Sequence, residues 1–387
     1  MAHNRVTSLR SRLSHAALGL FARVAYRKPE GLHRARQNES VARILVLEPW
    51  NIGDVILAMP FLAQLRSLFP RARITLLAQP FAADLLAGTG LVDEFPTAEL
   101  TWTPADRLRL PSKTIDLWRL SRKLRAQRFD VAFSARLHVR EHILLALSRA
   151  ERRVGFAFGS HDAALTDAVS PGDSQRHRVG EWMRLLEPFG GASSVEVPRL
   201  YVERDERSWA SEFLTSRGIA NDELLIGIHP GASLAEKRWP LEQFSEVATA
   251  IVAQPGIRVL AFADPVGYGS ELFAIPRVVG AQVGLRKLVA LVEQCSLLVC
   301  NDSGPMHIAG ALGVPTVALF GQGIEEWFAP LGDGHEMLRP DRTEPPFGSS
   351  PTAAGIRSPV GISSAQVLDA VAKAVRRLRG GATLLRE

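Results

Sequence analysis

The sequence predicts an α/β protein that contains two parallel sheets. From residue 43 onward, short runs rich in Val, Ile and Leu alternate with stretches of helical periodicity, which is the pattern of βαβ units. The alternation runs through the chain twice, because a second series of apolar strands begins near residue 224. A chain of 387 residues also suits two domains of about 150 residues each.

The first half contains the elements of one doubly wound sheet. Strands are predicted over residues 43–48, 73–78 and 130–134. Helices are predicted over residues 55–68, 114–127 and 138–148. We assign these elements to a domain of residues 41–200.

The second half repeats this plan, and we assign it to a domain of residues 201–360. An extended crossover at residues 198–203 and a helix at 206–217 precede it. Its predicted strands are residues 224–229, 258–263, 297–300 and 316–320, and its helices are residues 241–253, 285–293 and 306–312. A loop rich in Pro, Gly and Ser follows at residues 340–359. A last helix within residues 361–387 starts at Ser363 or Ser364, and a position across the domain junction would suit it.

The charge of the chain is concentrated in an N-terminal arm of residues 1–40. This arm has eight Lys or Arg against two Glu, which accounts for the whole net charge of +6. Its apolar residues recur at near-helical spacing, so the arm is either an amphipathic helix on an anionic membrane surface or a flexible solubilising segment. A nucleic-acid partner is disfavoured, because the rest of the chain has no basic stripe with interleaved aromatic residues.

Composition also predicts a compartment. No stretch approaches the roughly 18 uninterrupted apolar residues of a membrane span, and no signal-peptide layout is present. Cys295 and Cys300 are five apart in an apparent strand, where they point to opposite faces and do not pair easily. We therefore expect a cytoplasmic protein, with the arm as a possible peripheral contact to the inner face of the membrane.

The first candidate site residue is Asp54, in the join between a strand and a helix. Ligands of open α/β sheets bind at the carboxyl ends of strands, and Gly53 permits a tight turn there. Asp54 is placed to take a proton from an attacking hydroxyl as a general base. The alternative interpretation is an N-cap for the following helix, and the two roles are compatible.

The second candidate is the turn His229-Pro230-Gly231-Ala232-Ser233 with the following Lys237-Arg238-Trp239-Pro240. Small residues after a strand let backbone amides approach an anion, and Lys237 adds a point charge against a diphosphate. The spacing is not that of a P-loop. A solvated Lys237 and a packed Trp239 are the alternative.

The third candidate is Asn301-Asp302-Ser303-Gly304-Pro305-Met306-His307, directly after a strand. Asp302 or Ser303 suits the N-cap of a helix, and Pro305 suits its first turn. The start of that helix would favour a pyrophosphate, and His307 could donate to phosphate or ribose. The alternative is that these residues only begin the helix and that His307 has a structural role.

Together, the three motifs resemble glycosyltransferase family 9, the lipopolysaccharide heptosyltransferases. The resemblance extends in order from about residue 43 to residue 320. It rests on residues 44–60, on the turn at His229 with Lys237-Arg238-Trp239-Pro240, and on Asn301 to His307 through Phe320-Gly321.

The resemblance implies a GT-B architecture, in which two Rossmann-like domains face a central cleft. The N-terminal domain would bind a lipid-linked saccharide acceptor, and the C-terminal domain would bind a nucleotide sugar, ADP-heptose. Transfer would proceed with inversion and with neither a metal ion nor a cofactor.

By motif, the resemblance makes Asp54 the catalytic base and Lys237 the cation at the donor phosphates, with Ser233 as a nearby phosphate contact. Asp302, Ser303, Gly304 and His307 would line the donor site. Asp264 is a loose candidate for the ribose-binding acidic residue, since the run from Ala263 to Gly267 departs from the usual pattern.

Three rival functions remain. One is a related glycosyltransferase that uses another nucleotide sugar for capsule or O-antigen. Another is a catalytically silent carbohydrate-binding relative, against which the joint presence of Asp54, Lys237 and Asp302 counts. A nicotinamide dehydrogenase is disfavoured, because no Gly-x-Gly-x-x-Gly follows a predicted strand.

Overall fold

A computed structural model of the chain describes residues 41–96, 110–137, 139–157, 160–171, 177–191, 194–219, 223–321, 325–340 and 359–384. The described residues form two compact units. Unit 1 comprises residues 41–86 and 90–195, and unit 2 comprises residues 87–89 and 196–384. The predicted arm of residues 1–40 and nearly all of the predicted loop at 340–359 lie outside the described residues.

Unit 1 is built on a five-stranded parallel sheet. Its strands are β1 (Arg43–Glu48), β2 (Arg73–Ala78), β3 (Val131–Ser134), β4 (Arg152–Phe156) and β5 (Asp167–Val169), in the order β2-β1-β3-β4-β5. Its helices include α1 (Ile52–Leu57), α2 (Met59–Leu68), α3 (Phe81–Leu85), α4 (Leu110–Gln127), α5 (Val139–Ser148) and α6 (Arg178–Arg184). The predicted doubly wound α/β class is confirmed.

Helices cover both faces of this sheet, which explains why its strands are apolar runs rather than alternating ones. On one face, Leu45 and Leu47 of β1 pack with Leu124 of α4 in a buried cluster. On the other face, the ring of Phe61 from α2 lies 5.3 Å from that of Phe133 in β3 and 4.8 Å from that of Trp182 in α6.

The prediction of a single helix over residues 55–68 is wrong in two respects. The helical region begins earlier, at Ile52, and it is divided at Ala58 into α1 and α2. Pro60 explains the division, because proline has no N–H to donate and its ring clashes with the preceding turn. Pro60 is instead accommodated in the first turn of α2, where such a donor is not needed.

Unit 2 contains a six-stranded parallel sheet. Its strands are β6 (Leu224–His229), β7 (Ile257–Phe262), β8 (Val278–Ala281), β9 (Leu297–Asn301), β10 (Thr316–Leu319) and β11 (Glu336–Leu338), in the order β11-β10-β9-β6-β7-β8. Its helices include α7 (Arg204–Thr215), α8 (Leu241–Val252), α9 (Leu285–Glu293), α10 (Gly304–Leu312), α11 (Glu325–Phe328) and α12 (Ser364–Leu384). The second predicted sheet is therefore confirmed.

The strands that the sequence did not predict are short or interrupted. β4 opens with two arginines, and the buried Arg153 is tolerated because its guanidinium donates to the carbonyls of Ala150 and Ala164, each at 2.7 Å. β8 contains Gly280, and β11 is a three-residue strand at the end of the sheet. None of them has the unbroken apolar run by which the other strands are recognised.

The C-terminal helix α12 packs on the sheet of unit 2. Val367, Val371 and Val375 on one face of α12 join a buried cluster with Phe244 and Ile251 of α8. Packing of α12 across the domain junction stays a prediction. Within the part of the chain that the structure describes, no helix combines the length and the apolar character needed to cross a bilayer.

We expect Ile251→Ala to lower the free energy of unfolding of unit 2 by about 2–5 kcal/mol, because it leaves a cavity in a fully buried cluster. Urea titration followed by far-ultraviolet circular dichroism measures this loss. Thr249→Ala, two residues away on the exposed side of α8, is the matched control and should change stability by less than about 0.5 kcal/mol. Equal midpoints for the two variants would contradict this account of the core.

Candidate active site

A charged cluster forms at the carboxyl edge of the unit 1 sheet. β1 and β3 pair in parallel as neighbours, so the residues that follow them are brought together. Asp54 lies in α1 after β1, and Arg136 lies two residues beyond β3. The Arg136 Nη2 atom forms an ion pair with Asp54 Oδ1 and lies 3.5 Å from Oε1 of Glu48, the last residue of β1.

Asp54 is held through both of its carboxylate oxygens. Arg136 binds Oδ1, and the backbone N–H of Asn51 donates to Oδ2 at 3.1 Å. The interpretation of Asp54 as the N-cap is wrong in position, because Asn51 is the N-cap and Asp54 is the third residue of α1. The side chain of Asp54 nevertheless remains 11% exposed.

Opposing effects set the charge of Asp54. Burial favours the neutral acid, but the guanidinium groups of Arg136 and Arg178 outweigh it and hold the pKa of Asp54 below its ordinary value. Arg178, at the start of α6, is buried and is also paired with Glu181. Asp54 is therefore a carboxylate at neutral pH.

Glu48 has the opposite character. Its side chain is completely buried, and this burial raises the pKa of Glu48 to about 7 although Arg136 opposes the shift. Two carboxyl groups thus share one guanidinium, but the pKa of Asp54 lies below its ordinary value and that of Glu48 lies well above its own.

Trp50 orients the shared guanidinium. The guanidinium carbon of Arg136 lies 5.0 Å from the centroid of the Trp50 ring, which is a cation–π distance. The indole N–H of Trp50 donates to Glu141 Oε1 at 2.9 Å, which fixes the ring in turn. Arg136 is therefore held by packing as well as by charge.

Two residues of this cluster, Arg136 and Arg178, were absent from the candidates that the sequence suggested. Glu48 and Trp50 lie within the first candidate join but were given no role there. A signal for Arg136 did exist, since a cation placed just beyond a buried strand lies at the edge where ligands bind. Arg178 follows no predicted strand, so no pattern in the sequence indicated it.

In unit 2, the structure brings two of the predicted site residues into contact. β6 and β9 pair in parallel, and the loop after β6 meets the residues that follow β9. Lys237 Nζ lies 2.6 Å from Asp302 Oδ2. The Lys237 side chain is 22% exposed and that of Asp302 is 6% exposed, so the lysine is the more accessible partner.

Asn301 fixes the loop that carries Lys237. Its Nδ2 donates to the Pro230 carbonyl at 2.7 Å, and its Oδ1 accepts from the backbone N–H of Trp239 at 3.1 Å. The Trp239 ring is buried, and its indole N–H donates to the Ile362 carbonyl at 2.9 Å. The packed Trp239 of the alternative interpretation is thus confirmed, and this packing places Lys237.

The turn after β6 is closely packed. A Cβ at Gly231 would lie 2.9 Å from the ring of His229 and 3.3 Å from Cβ of Asp264, so a side chain there would displace its neighbours. Burial lowers the pKa of His229 to about 4, and the ring is neutral at neutral pH. Ser233, the last residue of this turn, is exposed.

Asp264 is engaged in its own loop. Its Oδ1 accepts from the backbone N–H groups of Val266 at 3.0 Å and Tyr268 at 2.9 Å. Its Oδ2 lies 3.8 Å from Arg238, whose guanidinium carbon is 4.2 Å from the centroid of the Tyr268 ring. The first role of Asp264 is therefore to shape this loop.

The helix α10 begins as the motif predicts. Ser303 is its N-cap residue, Gly304 its first residue and Pro305 its second. The Ser303 hydroxyl donates to the Asn301 carbonyl at 3.2 Å. His307 is buried in the first turns of the helix. Among the residues that the structure describes, no cluster of three or more His, Cys, Asp or Glu could hold a metal ion.

Two parallel sheets flanked by helices define a Rossmann-like α/β protein, a class in which ligands bind at the carboxyl ends of the strands. The family model of glycosyltransferase family 9 (heptosyltransferase) matches residues 117–350, which is more than half of the chain. The chain therefore belongs to glycosyltransferase family 9, and the resemblance seen in its motifs is confirmed. It is a glycosyltransferase.

Individual relatives agree with this assignment. The lipopolysaccharide heptosyltransferase 2 of Salmonella typhimurium is 26% identical over 320 residues, which cover 77% of this chain and 88% of the relative. A family 9 glycosyl transferase from Veillonella parvula has a similar structure, with a TM-score of 0.72, 23% identity and coverage of 89% of this chain and 99% of that one. The ADP-heptose lps heptosyltransferase II of E. coli follows, with a TM-score of 0.68, 21% identity and coverage of 87% and 99%.

We expect Asn301→Ala to lower the free energy of unfolding by about 1–3 kcal/mol, because it leaves the buried N–H of Trp239 and the carbonyl of Pro230 without their partners. Chemical denaturation monitored by tryptophan fluorescence measures the loss. Gln254→Ala, an exposed amide after α8, is the control and should have little effect. An unchanged midpoint for Asn301→Ala would show that the loop is held by other contacts.

Proposed function

We propose that the protein transfers heptose from ADP-heptose to the saccharide core of lipopolysaccharide or a related surface glycolipid, with inversion and without a metal ion. Two kinds of observation support this. The relatives include proteins named for lipopolysaccharide heptose transfer and for ADP-heptose. The chain also supplies a held carboxylate in unit 1 and a held lysine in unit 2, which are the groups that such a transfer needs.

Asp54 is the proposed base, and its geometry is the observation on which the proposal chiefly depends. The carboxylate is ionised, fixed at both oxygens and still partly exposed. It takes the proton of an acceptor hydroxyl as that oxygen attacks the anomeric carbon. The new carbon–oxygen bond forms as the bond to the diphosphate breaks, so ADP leaves with the electron pair. A single displacement of this kind inverts the configuration.

Lys237 is proposed to bind the donor phosphates. Negative charge develops on the diphosphate as it leaves, and a cation already in place stabilises that charge without reorganising. Asp302 holds the ammonium group at 2.6 Å, and Asn301 holds the loop. We place Ser233 at the phosphates, and Asp302 and His307 around the sugar and pyrophosphate. The start of α10 at Ser303 and Gly304 adds the positive end of a helix dipole.

We expect Asp54→Ala to lower kcat by about 10²–10⁴-fold while the affinity for ADP stays nearly unchanged, because a general base acts in the chemical step. A transfer assay and calorimetry with ADP measure the two effects. Asp54→Asn, which keeps the shape of the side chain, should lower kcat and leave the affinity for ADP unchanged in the same way as Asp54→Ala.

Asp84→Asn, an exposed carboxylate on α3, is the matched control for Asp54. Turnover of the Asp54 variants comparable to that of the wild type would remove Asp54 from the mechanism. The assay contains EDTA throughout, and activity that appears only after Mg²⁺ is added would contradict the metal-free reaction.

Lys237→Ala should weaken ADP binding by about tenfold to a hundredfold and also lower kcat, since a charge-assisted contact to phosphate acts in both the ground state and the transition state. Titration calorimetry with ADP and the transfer assay test this. Lys373→Ala, on the surface of α12, should leave both unchanged. Equal ADP affinities for Lys237→Ala and the wild type would show that Lys237 does not contact the diphosphate.

A further inference from the structure

We propose that Glu48 is a positioning residue that controls, through Arg136, how readily Asp54 accepts the proton of the acceptor. The proposal rests on the role of Asp54 proposed above. It concerns a residue that no motif of the sequence singled out as functional.

The geometry consists of one cation between two carboxyl groups. The same nitrogen of Arg136, Nη2, pairs with Asp54 Oδ1 and lies 3.5 Å from Glu48 Oε1. Trp50 stacks near the guanidinium and limits its movement. Any change in the charge of Glu48 therefore changes how strongly Arg136 is drawn towards Asp54.

Glu48 is poorly explained as a structural residue. It is the final residue of β1, where the preceding residues Ile44 to Leu47 are all apolar and fully buried. Its Oε2 atom is buried and has no hydrogen-bond partner among the residues that the structure describes. An apolar side chain would fill this position without the cost of a buried, incompletely bonded carboxyl group. A function for the carboxyl group accounts for its presence.

The charges that face Glu48 come from four surrounding segments. Arg136 follows β3, Arg178 begins α6, Asp54 lies in α1 and Glu141 lies in α5. The two arginines favour the ionised form of Glu48, and the two acidic residues oppose it. Of these neighbours, Arg136 is the one that contacts both Glu48 and Asp54.

The two charge states of Glu48 have different consequences for Asp54. When Glu48 is neutral, Arg136 is attracted to Asp54 alone and makes Asp54 a weak base. When Glu48 has lost its proton to the solvent, the guanidinium is shared and Asp54 becomes more basic. After Asp54 takes the acceptor proton, it is neutral, and the positive charge of Arg136 remains compensated by Glu48. No proton passes between the two carboxyl groups in this step.

The transition between the two states falls in an accessible range. Burial raises the pKa of Glu48 to about 7, so Glu48 is mainly neutral below this pH and mainly ionised above it. Asp54 has a pKa below its ordinary value and stays ionised throughout this range. A rise in rate near pH 7 therefore cannot come from Asp54 itself.

The test is the pH profile of kcat/KM, measured between pH 5.5 and 8.5 for the wild type and Glu48→Gln. We expect the wild-type value to rise about threefold to tenfold as the pH passes through the pKa of Glu48. Glu48→Gln mimics the neutral acid, so it should remain flat near the low-pH level of the wild type. An identical rise in both proteins, or no rise in the wild type, would overturn the proposal.

Two further variants separate this role from a structural one. Glu141→Gln alters another buried carboxyl group near Arg136 and should keep the rise, moved slightly to lower pH because Glu141 opposes the ionisation of Glu48. Arg136→Gln removes the cation that favours ionised Glu48, so the rise should move to higher pH or disappear. A profile for Arg136→Gln that matches the wild type would overturn the proposal even if Glu48→Gln failed to fold.

The outcomes also distinguish this inference from the proposed function. If Asp54→Ala is inactive but Glu48→Gln keeps the wild-type profile, the inference fails and the role of Asp54 stands. If Asp54→Ala retains its activity, the role of Asp54 fails and the inference fails with it.

Discussion

The parallel pairing of two strand pairs, β1 with β3 and β6 with β9, is the constraint on which the candidate site depends. Parallel neighbours end at the same edge of a sheet, so residues far apart in sequence meet there. This places Arg136 against Asp54 in unit 1 and Asp302 against Lys237 in unit 2. The apolar runs determine how the strands pair, and the polar residues that follow the strands provide the charged groups of the candidate site.

Each proposed reactive group keeps partial exposure and is held by a more deeply buried residue or by a neighbouring charge. Lys237 is more exposed than Asp302, and Asp54 keeps partial exposure, whereas Glu48 behind it has none. The ion-pair partner, Arg136 for Asp54 and Asp302 for Lys237, fixes the orientation of the reactive group before any ligand arrives. Such preorganisation is effective because a fixed charge in a site with little water does not have to reorient during the reaction.

The sequence was informative where a single pattern determines the structure. Long apolar runs predicted β1, β6 and β9, and the Ser303 to Pro305 punctuation predicted the start of α10. Asp302 and Lys237 were predicted as site residues, but their contact depends on strand order, which no local pattern encodes. Arg136 was missed although it follows a predicted strand, and Arg178 was missed because it follows none. The break at Ala58 was missed because the apolar periodicity of residues 55–68 continues across Pro60.

Glu48 illustrates how burial can turn an unfavourable group into a useful one. An ionised carboxyl group at a fully buried strand end is destabilising unless a cation accompanies it, and the cation available here is already paired with Asp54. Burial raises the pKa of Glu48 to about 7, and Arg136, which is shared with Asp54, opposes this shift only in part. A stronger, separate partner would hold Glu48 permanently ionised, and an apolar residue would leave Asp54 bound to Arg136 at every pH. The shared cation thus makes the strength of the base depend on a second buried group.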